Sequence, residues 1–521
     1  MTTATPTPED RAEPDELEVA GADDPRSLQK KVVDGLRWGF AQQFLARAVS
    51  FGSGVALARI LVPEDFGTFA VALAVTNILF GLNDLGLLLA VVRWKGDIER
   101  GAETAFTLAT IMSVGLYAIC FLGAPWYAAM MGSPEATWIL RLLLFTVVLD
   151  GACTAHHGLL IRAFRQDRIA QAEFWSMPLA VGCTIGLALL GWGAWSFAIG
   201  QVAANVVTSF LIIWWAPFRP RPGYDRAVAR KMLAFGLPLA GASLIEYVLL
   251  NADYMIIGRT LGPIALGFYL LAYNLSNWPS SLLTEAIRKV SFVSFHELSD
   301  EPARLAAAFR RSFVLLVTLS IPLVLGLMIL TRPLIEIVYG PDWSRSAKVL
   351  QFLAILGGAR VCIALMFDLL VGVGRSAAAL RLKIAWCVAL VPALELGVRQ
   401  DGIRGVAIAH AVVVMVIALP LFLAAVSRLQ IDLRGIAGDL LRPAAGGALA
   451  ATATLLVVSP MPSPILQLLV GGTVLVVAYA ATQRPMAVIA QLRARRAEAA
   501  AGQPSTPDPS SVDPTPVEAP A

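Results

Sequence analysis

The sequence predicts an all-α integral membrane protein with about fourteen transmembrane helices. Three observations predict it. Hydrophobic residues fill 57% of the 521 positions and charged residues only 15%, against roughly 25% charge in soluble domains. Apolar segments recur from Trp38 to Thr482, each close to the ~20 helical residues that cross a hydrocarbon core roughly 30 Å thick. Basic residues concentrate in alternate loops, as they do when a chain threads back and forth through a bilayer. Mean hydropathy is +0.69 and the net charge only +4, so the placement of charge says more than its sum.

Residues 1–27 are rich in Pro, Glu and Asp, a composition that cannot bury a core and predicts a disordered cytoplasmic tail. They lack a basic stretch leading into an apolar one, so no cleaved signal peptide is expected. Apolar segments at 38–61, 66–92, 104–124, 137–161, 170–191 and 194–216 make a first six-helix lobe within 28–217. After a cytoplasmic linker at 218–231, segments at 232–258, 263–287, 309–330, 346–372, 380–398 and 402–427 make a second lobe within 232–428. Segments 440–458 and 464–482 are two additional transmembrane helices within 429–484, and 485–521 reads as a cytoplasmic tail disordered at its end. The longest loop falls at 288–308. Pro178, Pro238, Pro279, Pro322, Pro392 and Pro420 lie inside segments; in lipid, neighbouring helices re-satisfy the freed backbone, so kinks are expected rather than breaks.

With the N-terminus inside, the inner loops carry Arg93, Lys95, Arg100, Arg162, Arg165, Arg168, the Arg219–Lys231 cluster, Arg288, Lys289, Arg304, Arg310, Arg311, Arg375, Arg381, Lys383, Arg428, Arg434 and Arg442. The outer loops carry far fewer, among them Arg59, Arg141, Arg259, Arg332 and Arg345. A single miscounted helix would invert the pattern downstream, and it does not invert. Both termini are therefore expected in the cytoplasm.

The chain also repeats itself. Residues 58–69 read A-R-I-L-V-P-E-D-F-G-T-F and residues 258–269 read G-R-T-L-G-P-I-A-L-G-F-Y. Arg59 matches Arg259, Leu61 Leu261, Pro63 Pro263 and Gly67 Gly267, with Phe69 opposite Tyr269. Both copies sit at the turn from the first to the second helix of a six-helix block, the sign of a parallel duplication.

Several functions are excluded. Cys120, Cys153, Cys183, Cys362 and Cys387 lie in apolar runs without a C-x-x-C pair, which reads as inert buried thiols rather than disulfides or zinc ligands. No H-E-x-x-H, G-x-S-x-G or G-x-x-x-x-G-K-[ST] motif occurs, so no catalytic site, metal site or nucleotide-driven motor is expected. Nucleic acid is not an expected partner.

Further strings carry a resemblance. V-A-L-A-R-I-L-V-P-E-D-F-G at Val55 to Gly67 resembles the first helix hairpin of oligosaccharide flippases of the polysaccharide-transporter type, the O-antigen translocase group. Asn251 to Gly262 and Leu266 to Tyr269 resemble the seventh and eighth helices of that group, and Gly35 to Trp38 and Leu370 to Arg375 are similar to it too. The resemblance implies the fold of the multidrug/oligosaccharidyl-lipid/polysaccharide exporter superfamily: two six-helix lobes, a central cavity and alternating access. It implies a terminal helix pair that forms a lipid-facing groove. It implies a substrate, an oligosaccharide on undecaprenyl pyrophosphate, moved across the bacterial inner membrane for surface polysaccharide or lipopolysaccharide biosynthesis. Polysaccharide polymerases and glycosyltransferases would be its neighbours in that process. The alternative is a cation-coupled multidrug exporter of the same fold.

An anionic head needs a cationic path, and an ionisable residue at a helix centre costs roughly 2.5–3.5 kcal/mol, so such residues face a cavity or a partner. Arg47 lies deep in the first segment with Gln43 one turn earlier, and Arg360 lies in the tenth beside Gly357 and Gly358, about two turns before Asp368. A guanidinium can fork onto phosphate oxygens; the competing reading is that each arginine pairs with an acid and holds helices together. Glu246 and Asp253 stand seven residues apart on the seventh segment, with Asn251 nearby. They read either as a proton or sodium coupling site, with Asp368, or as structural partners of an arginine such as Arg47 or Arg360. Asp150, His156 and His157 form a weaker set, since adjacent histidines point about 100° apart on a helix. Arg59 and Arg259 read as interfacial residues capping exposed carbonyls.

Overall fold

A computed structural model describes residues 45–83, 86–217, 221–297 and 301–501. Two compact units emerge, Met1–Gly54 and Val55–Ala521. The described elements are helical, and eleven candidate membrane spans occur among the described residues. The fold is all-α, as expected, although the helices do not map one to one onto fourteen separate segments.

Residues 45–60 are helical (α1). There follow α2 (Pro63–Asn83), α3 (Leu87–Arg93), α4 (Ile98–Met130), α5 (Ala136–Arg162), α6 (Gln166–Leu189) and α7 (Ala194–Trp215). The second half holds α8 (Arg226–Glu297), α9 (Pro302–Ile329), α10 (Thr331–Val338), α11 (Ser344–Gly372) and α12 (Ser376–Val413). A π-helical stretch, Val414–Ala418, leads into α13 (Leu419–Ser427), and α14 (Leu433–Val458) and α15 (Pro464–Ala501) close the chain.

Two of these elements are hairpins. In α8 the chain turns at Gly262, whose φ of 80° is open to glycine without penalty. Tyr269 Oη then reaches Asp253 Oδ2 at 2.7 Å, across sixteen residues that would span about 24 Å in a straight helix. In α12 the turn is at Asp401 and Gly402. There Gly397 and Gly405 pack so tightly that a Cβ on Gly405 would lie 1.9 Å from the Gly397 carbonyl oxygen. Sequence segments that were expected to be separate helices are thus tight helix pairs without intervening loops.

Three boundaries differ from the sequence reading. The loop expected at 288–308 is largely helix, because α8 runs to Glu297, where buried Phe295 packs against Phe309 at 6.3 Å. α8 begins at Arg226, inside the expected linker. α15 continues to Ala501, past its apolar stretch into an alanine-rich run with high helix propensity.

α2 and the residues just after it run antiparallel to the first arm of α8, from the turn at Gly262 back to Gly236. A Cβ on Gly67 would fall 1.7 Å from the Pro263 oxygen, Asn77 Nδ2 donates to Asn251 Oδ1 at 3.2 Å, Gly81 meets the Tyr247 ring and Gly86 meets Gly236. This seam is closed at both ends, so the cavity expected between the halves is not open along it.

Candidate functional site

The two repeat copies meet. Pro63 and Pro263 open the second helix of each pair, and each proline carbonyl rests on the glycine four residues into the other copy: Pro263 on Gly67 and Pro63 on Gly267. A Cβ on Gly267 would lie 1.9 Å from the Pro63 oxygen, so only glycine permits this approach. Trp343 is wedged against the crossing, fully buried, its Nε1 donating to the Ala58 carbonyl at 2.9 Å. Its ring meets Phe66 of the first copy edge-on at 4.9 Å and Phe268 of the second at 5.9 Å. Arg59 donates to the carbonyls of Ile337 and Val338, capping the end of α10 as its interfacial position suggested, while Arg259 is exposed.

Behind the second copy lies a buried polar cluster. Asp253 is 1% exposed. Its Oδ2 accepts from Tyr269 Oη at 2.7 Å and faces His410 Nε2 at 3.3 Å, and its Oδ1 accepts the Tyr254 N–H at 2.9 Å. Tyr254 and Tyr269 both pack on Tyr273, at centroid distances of 5.5 and 6.1 Å. Arg360, on α11, donates to Tyr273 Oη at 2.7 Å and Asn277 Oδ1 at 3.2 Å, with its guanidinium 5.2 Å from the Tyr273 ring. Burial of this much polarity is tolerable only because most of it is hydrogen-bonded. His410 Nδ1 is an exception, buried with no partner among the described residues.

A third feature is an apolar groove of about 760 Å³ walled by α9, α11, the π-helical stretch, α13 and α14. Phe313, Val317, Val324, Cys362, Met415 and Leu440 are among its lining, and its surface is almost wholly apolar. The π-helical turn interrupts the regular helix where Met415 joins this wall, and such turns cluster at functional sites.

The sequence candidates scatter around these features. Arg47 is half-buried on α1, in the first compact unit, and Gln43 lies outside the described residues. Asp253 and Arg360 both enter the polar cluster, yet their direct contacts are to Tyr269 and His410 on one side and to Tyr273 and Asn277 on the other. Glu246 does not join Asp253. It is 53% exposed and pairs at 2.9 Å with Lys383, which rides on the Phe367 ring and is only 15% exposed. Lys383 is therefore a helix-packing residue of α12, not the loop charge it was counted as. Asp368 is buried on α11, and Asp150 accepts from Asn83 Nδ2 at 2.9 Å. His156 is buried against Phe106, with Nδ1 3.1 Å from the Ala152 carbonyl oxygen.

Sequence reading missed His410, Tyr273 and Asn277. A lone histidine in G-V-A-I-A-H-A-V carries no spacing signal. Only the mismatch of Tyr269 against Phe69 pointed to added polarity in the second copy.

A family model described as "Polysaccharide biosynthesis protein" matches residues 56–348. The succinoglycan biosynthesis transport protein ExoT of Rhizobium meliloti (strain 1021) is 27% identical over 359 residues, covering 67% of this chain and 70% of that protein. The lipopolysaccharide biosynthesis protein WzxC of Escherichia coli (strain K12) is 23% identical over 382 residues, covering 73% and 78%. Among solved structures, the inward closed conformation of the lipid II flippase MurJ aligns with a TM-score of 0.73 at 13% identity, over 86% of this chain and 99% of that one. An inward-facing multidrug resistance MATE transporter of the MOP superfamily aligns at 0.59 and 19% identity, over 74% and 94%. Likeness at these identities speaks for a shared fold.

Proposed function

We infer the function from one premise: the chain belongs to the polysaccharide biosynthesis protein family. It is a multi-pass membrane transporter of that biosynthesis, not an enzyme, and its cargo is a saccharide carried on a lipid. The finer reading is an oligosaccharide on undecaprenyl pyrophosphate, flipped across the bacterial inner membrane by alternating access of two six-helix lobes, 28–217 and 232–428. Both termini would stay in the cytoplasm.

The observation that supports a lipid-linked cargo is the groove of about 760 Å³ beside α14. Drug-sized sites run to about 300–1,000 Å³, so it holds a stretch of a long tail while the remainder stays in lipid. Moving a tail from acyl chains to leucine-like walls gains little free energy. The groove therefore guides the tail rather than gripping it, which suits a carrier that must let go. The anionic head needs cations. Arg360 makes its hydrogen bonds to neutral partners, Tyr273 and Asn277, and a guanidinium held this way can exchange them for phosphate oxygens. Arg47 is the corresponding station on α1. The electrical field helps: each negative charge moved out of an interior-negative cell gains about 2.3 kcal/mol per 100 mV.

Depleting the protein and extracting undecaprenyl-linked lipids tests this reading. Completed lipid-linked units should accumulate on the cytoplasmic leaflet and the surface polymer should vanish, with little change in sensitivity to cationic dyes. Dye accumulation with unchanged polymer would instead identify a drug exporter. In proteoliposomes, Arg47→Ala should abolish flipping and Arg47→Lys should keep part of it, because the charge survives without the fork. Wild-type flipping by Arg47→Ala would remove Arg47 from the path.

A further inference from the structure

We propose that the turn between α5 and α6 docks on anionic phospholipid. The Phe164 ring enters the headgroup layer, and the basic residues around it meet lipid phosphates. Such a contact is separate from the cargo path inferred above and would hold whatever the cargo.

The two halves of the chain build this turn alike and fill it differently. α5 ends at Arg162 and α6 begins at Gln166; in the second half α11 ends at Gly372 and α12 begins at Ser376. The Phe164 amide donates to the Ile161 carbonyl at 3.0 Å and the Arg165 amide to the Leu160 carbonyl at 2.9 Å. In the counterpart, Gly374 and Arg375 donate to the Val371 and Leu370 carbonyls at 3.0 and 2.8 Å. Arg165 and Arg375 share a φ of −93°, with ψ of 43° and 37°. The residue before each arginine lies in the left-handed region, Phe164 at φ 54° and Gly374 at φ 77°. Glycine adopts this conformation freely, whereas a bulky L-residue is strained in it.

That strain has no return inside the protein. Phe164 is 92% exposed, so its ring adds nothing to the core. A lone exposed apolar residue needs no explanation, but one held at a backbone angle that favours glycine carries two costs at once. Residues kept at such angles mark places where function outweighs local stability. An aromatic ring recovers free energy by leaving water, and at this turn the bilayer is the apolar medium at hand. α5 and α6 are both long and apolar enough to cross it. Only residues 163–165 join them, so the turn lies at the membrane surface.

Charge selects the lipid. Arg162, Arg165 and Arg168 flank the ring against one acid, Asp167, which lies 3.9 and 3.8 Å from Arg165 and Arg168. Arg162 ties on the neighbouring turn between α3 and α4, donating to the Val92 and Trp94 carbonyls at 3.0 and 2.6 Å. That turn adds exposed Arg93 and Lys95, with Arg100 paired to Asp97 at 3.4 Å and Glu99 beside them. The joined surface thus presents six cations against three acids, with Arg165 and Lys95 open to solvent. Basic residues next to a membrane span are drawn to anionic headgroups, and an aromatic ring beside them settles at headgroup depth. With the N-terminus inside, the leaflet concerned is the cytoplasmic one. Glycine replaces the ring in the second half, so this mooring belongs to the first half of the chain.

Two measurements test it. In detergent without anionic lipid, Phe164→Gly should melt at or above the wild-type temperature, because glycine accepts the turn and no packing is lost. Adding phosphatidylglycerol should then raise the melting temperature of wild type more than that of Phe164→Gly, since a ligand that binds the folded state stabilises it. A clear fall in detergent alone would mean that the ring packs within the protein. That result, or an equal rise with phosphatidylglycerol, would overturn the proposal.

The second measurement places 4-fluorophenylalanine at position 164 by codon suppression and follows its 19F signal in nanodiscs. In phosphatidylcholine containing phosphatidylglycerol, oxygen dissolved in the lipid should broaden the signal and a neutral aqueous gadolinium chelate should not. Gadolinium broadening should return in phosphatidylcholine alone, and in protein carrying Lys95→Gln and Arg165→Gln. Salt should weaken the protection, as the Debye length falls from about 10 Å at 0.1 M to about 3 Å at 1 M. Equal gadolinium broadening in the two membranes would overturn the proposal. So would protection in native membranes that phosphatidylglycerol cannot reproduce, the outcome expected of a protein partner.

Discussion

The turn at 58–69 and the turn at 258–269 share a backbone plan and differ in what they carry. Each presents Arg, Leu, Pro and Gly at the same four places, and each glycine receives the other copy's proline carbonyl. Beyond that plan the copies diverge. Phe69 stacks on Phe197 at 4.9 Å, an apolar contact. Its counterpart Tyr269 donates to Asp253, and the position matching Asp253 in the first copy is Ser53, whose hydroxyl bonds the Ser50 carbonyl one turn back. The copies share the residues where they touch, and neither glycine can gain a Cβ without moving the other helix. Elsewhere the copies part: the first keeps Glu64 and Asp65 at its turn, and the second carries the buried Asp253–Tyr269–His410 cluster.

The largest effect should come from breaking what the copies share. Gly67→Ala or Gly267→Ala forces a methyl against a backbone carbonyl that cannot swing aside. Each should cost at least about 3 kcal/mol, the top of the range for overpacking. Thermal unfolding in detergent reads this, with Gly186→Ala, which has open space around it, as the unaffected control. Equal melting of all three would mean that the crossing is not a native contact.

Next comes what distinguishes them. Asp253→Ala strands the Tyr269 hydroxyl and His410 Nε2 and should cost about 2–3 kcal/mol. Ser53→Ala should stay within about 0.5 kcal/mol. Similar losses at the two positions would erase the asymmetry argued above. Tyr269→Phe makes the second copy resemble the first. It should cost about 1.5 kcal/mol, the low end for a bond to a charged group, because Asp253 keeps its other two contacts.

The smallest effect should be at Glu246→Gln. Its ion pair with Lys383 is half in solvent, and such pairs contribute within about 1 kcal/mol. Flipping should continue in this variant. A complete loss by folded protein would return Glu246 to the list of coupling residues.

The sequence by itself determined the all-helical membrane class, the approximate span positions and the repeat. It also marked Asp253 and Arg360 as residues needing an explanation. These follow from terms that are local along the chain: the bilayer acts on each apolar window separately, and the cost of a buried charge is paid wherever that charge is written. The tertiary structure alone decided who meets whom. That Asp253 faces His410, 157 positions away, that Glu246 turns outward to Lys383, that each proline carbonyl rests on the other copy's glycine, and that α14 leaves a groove beside α9 all depend on how finished helices pack. No pattern within a single helix encodes those choices, because in lipid many packings satisfy the same hydropathy and only close side-chain fit selects one of them.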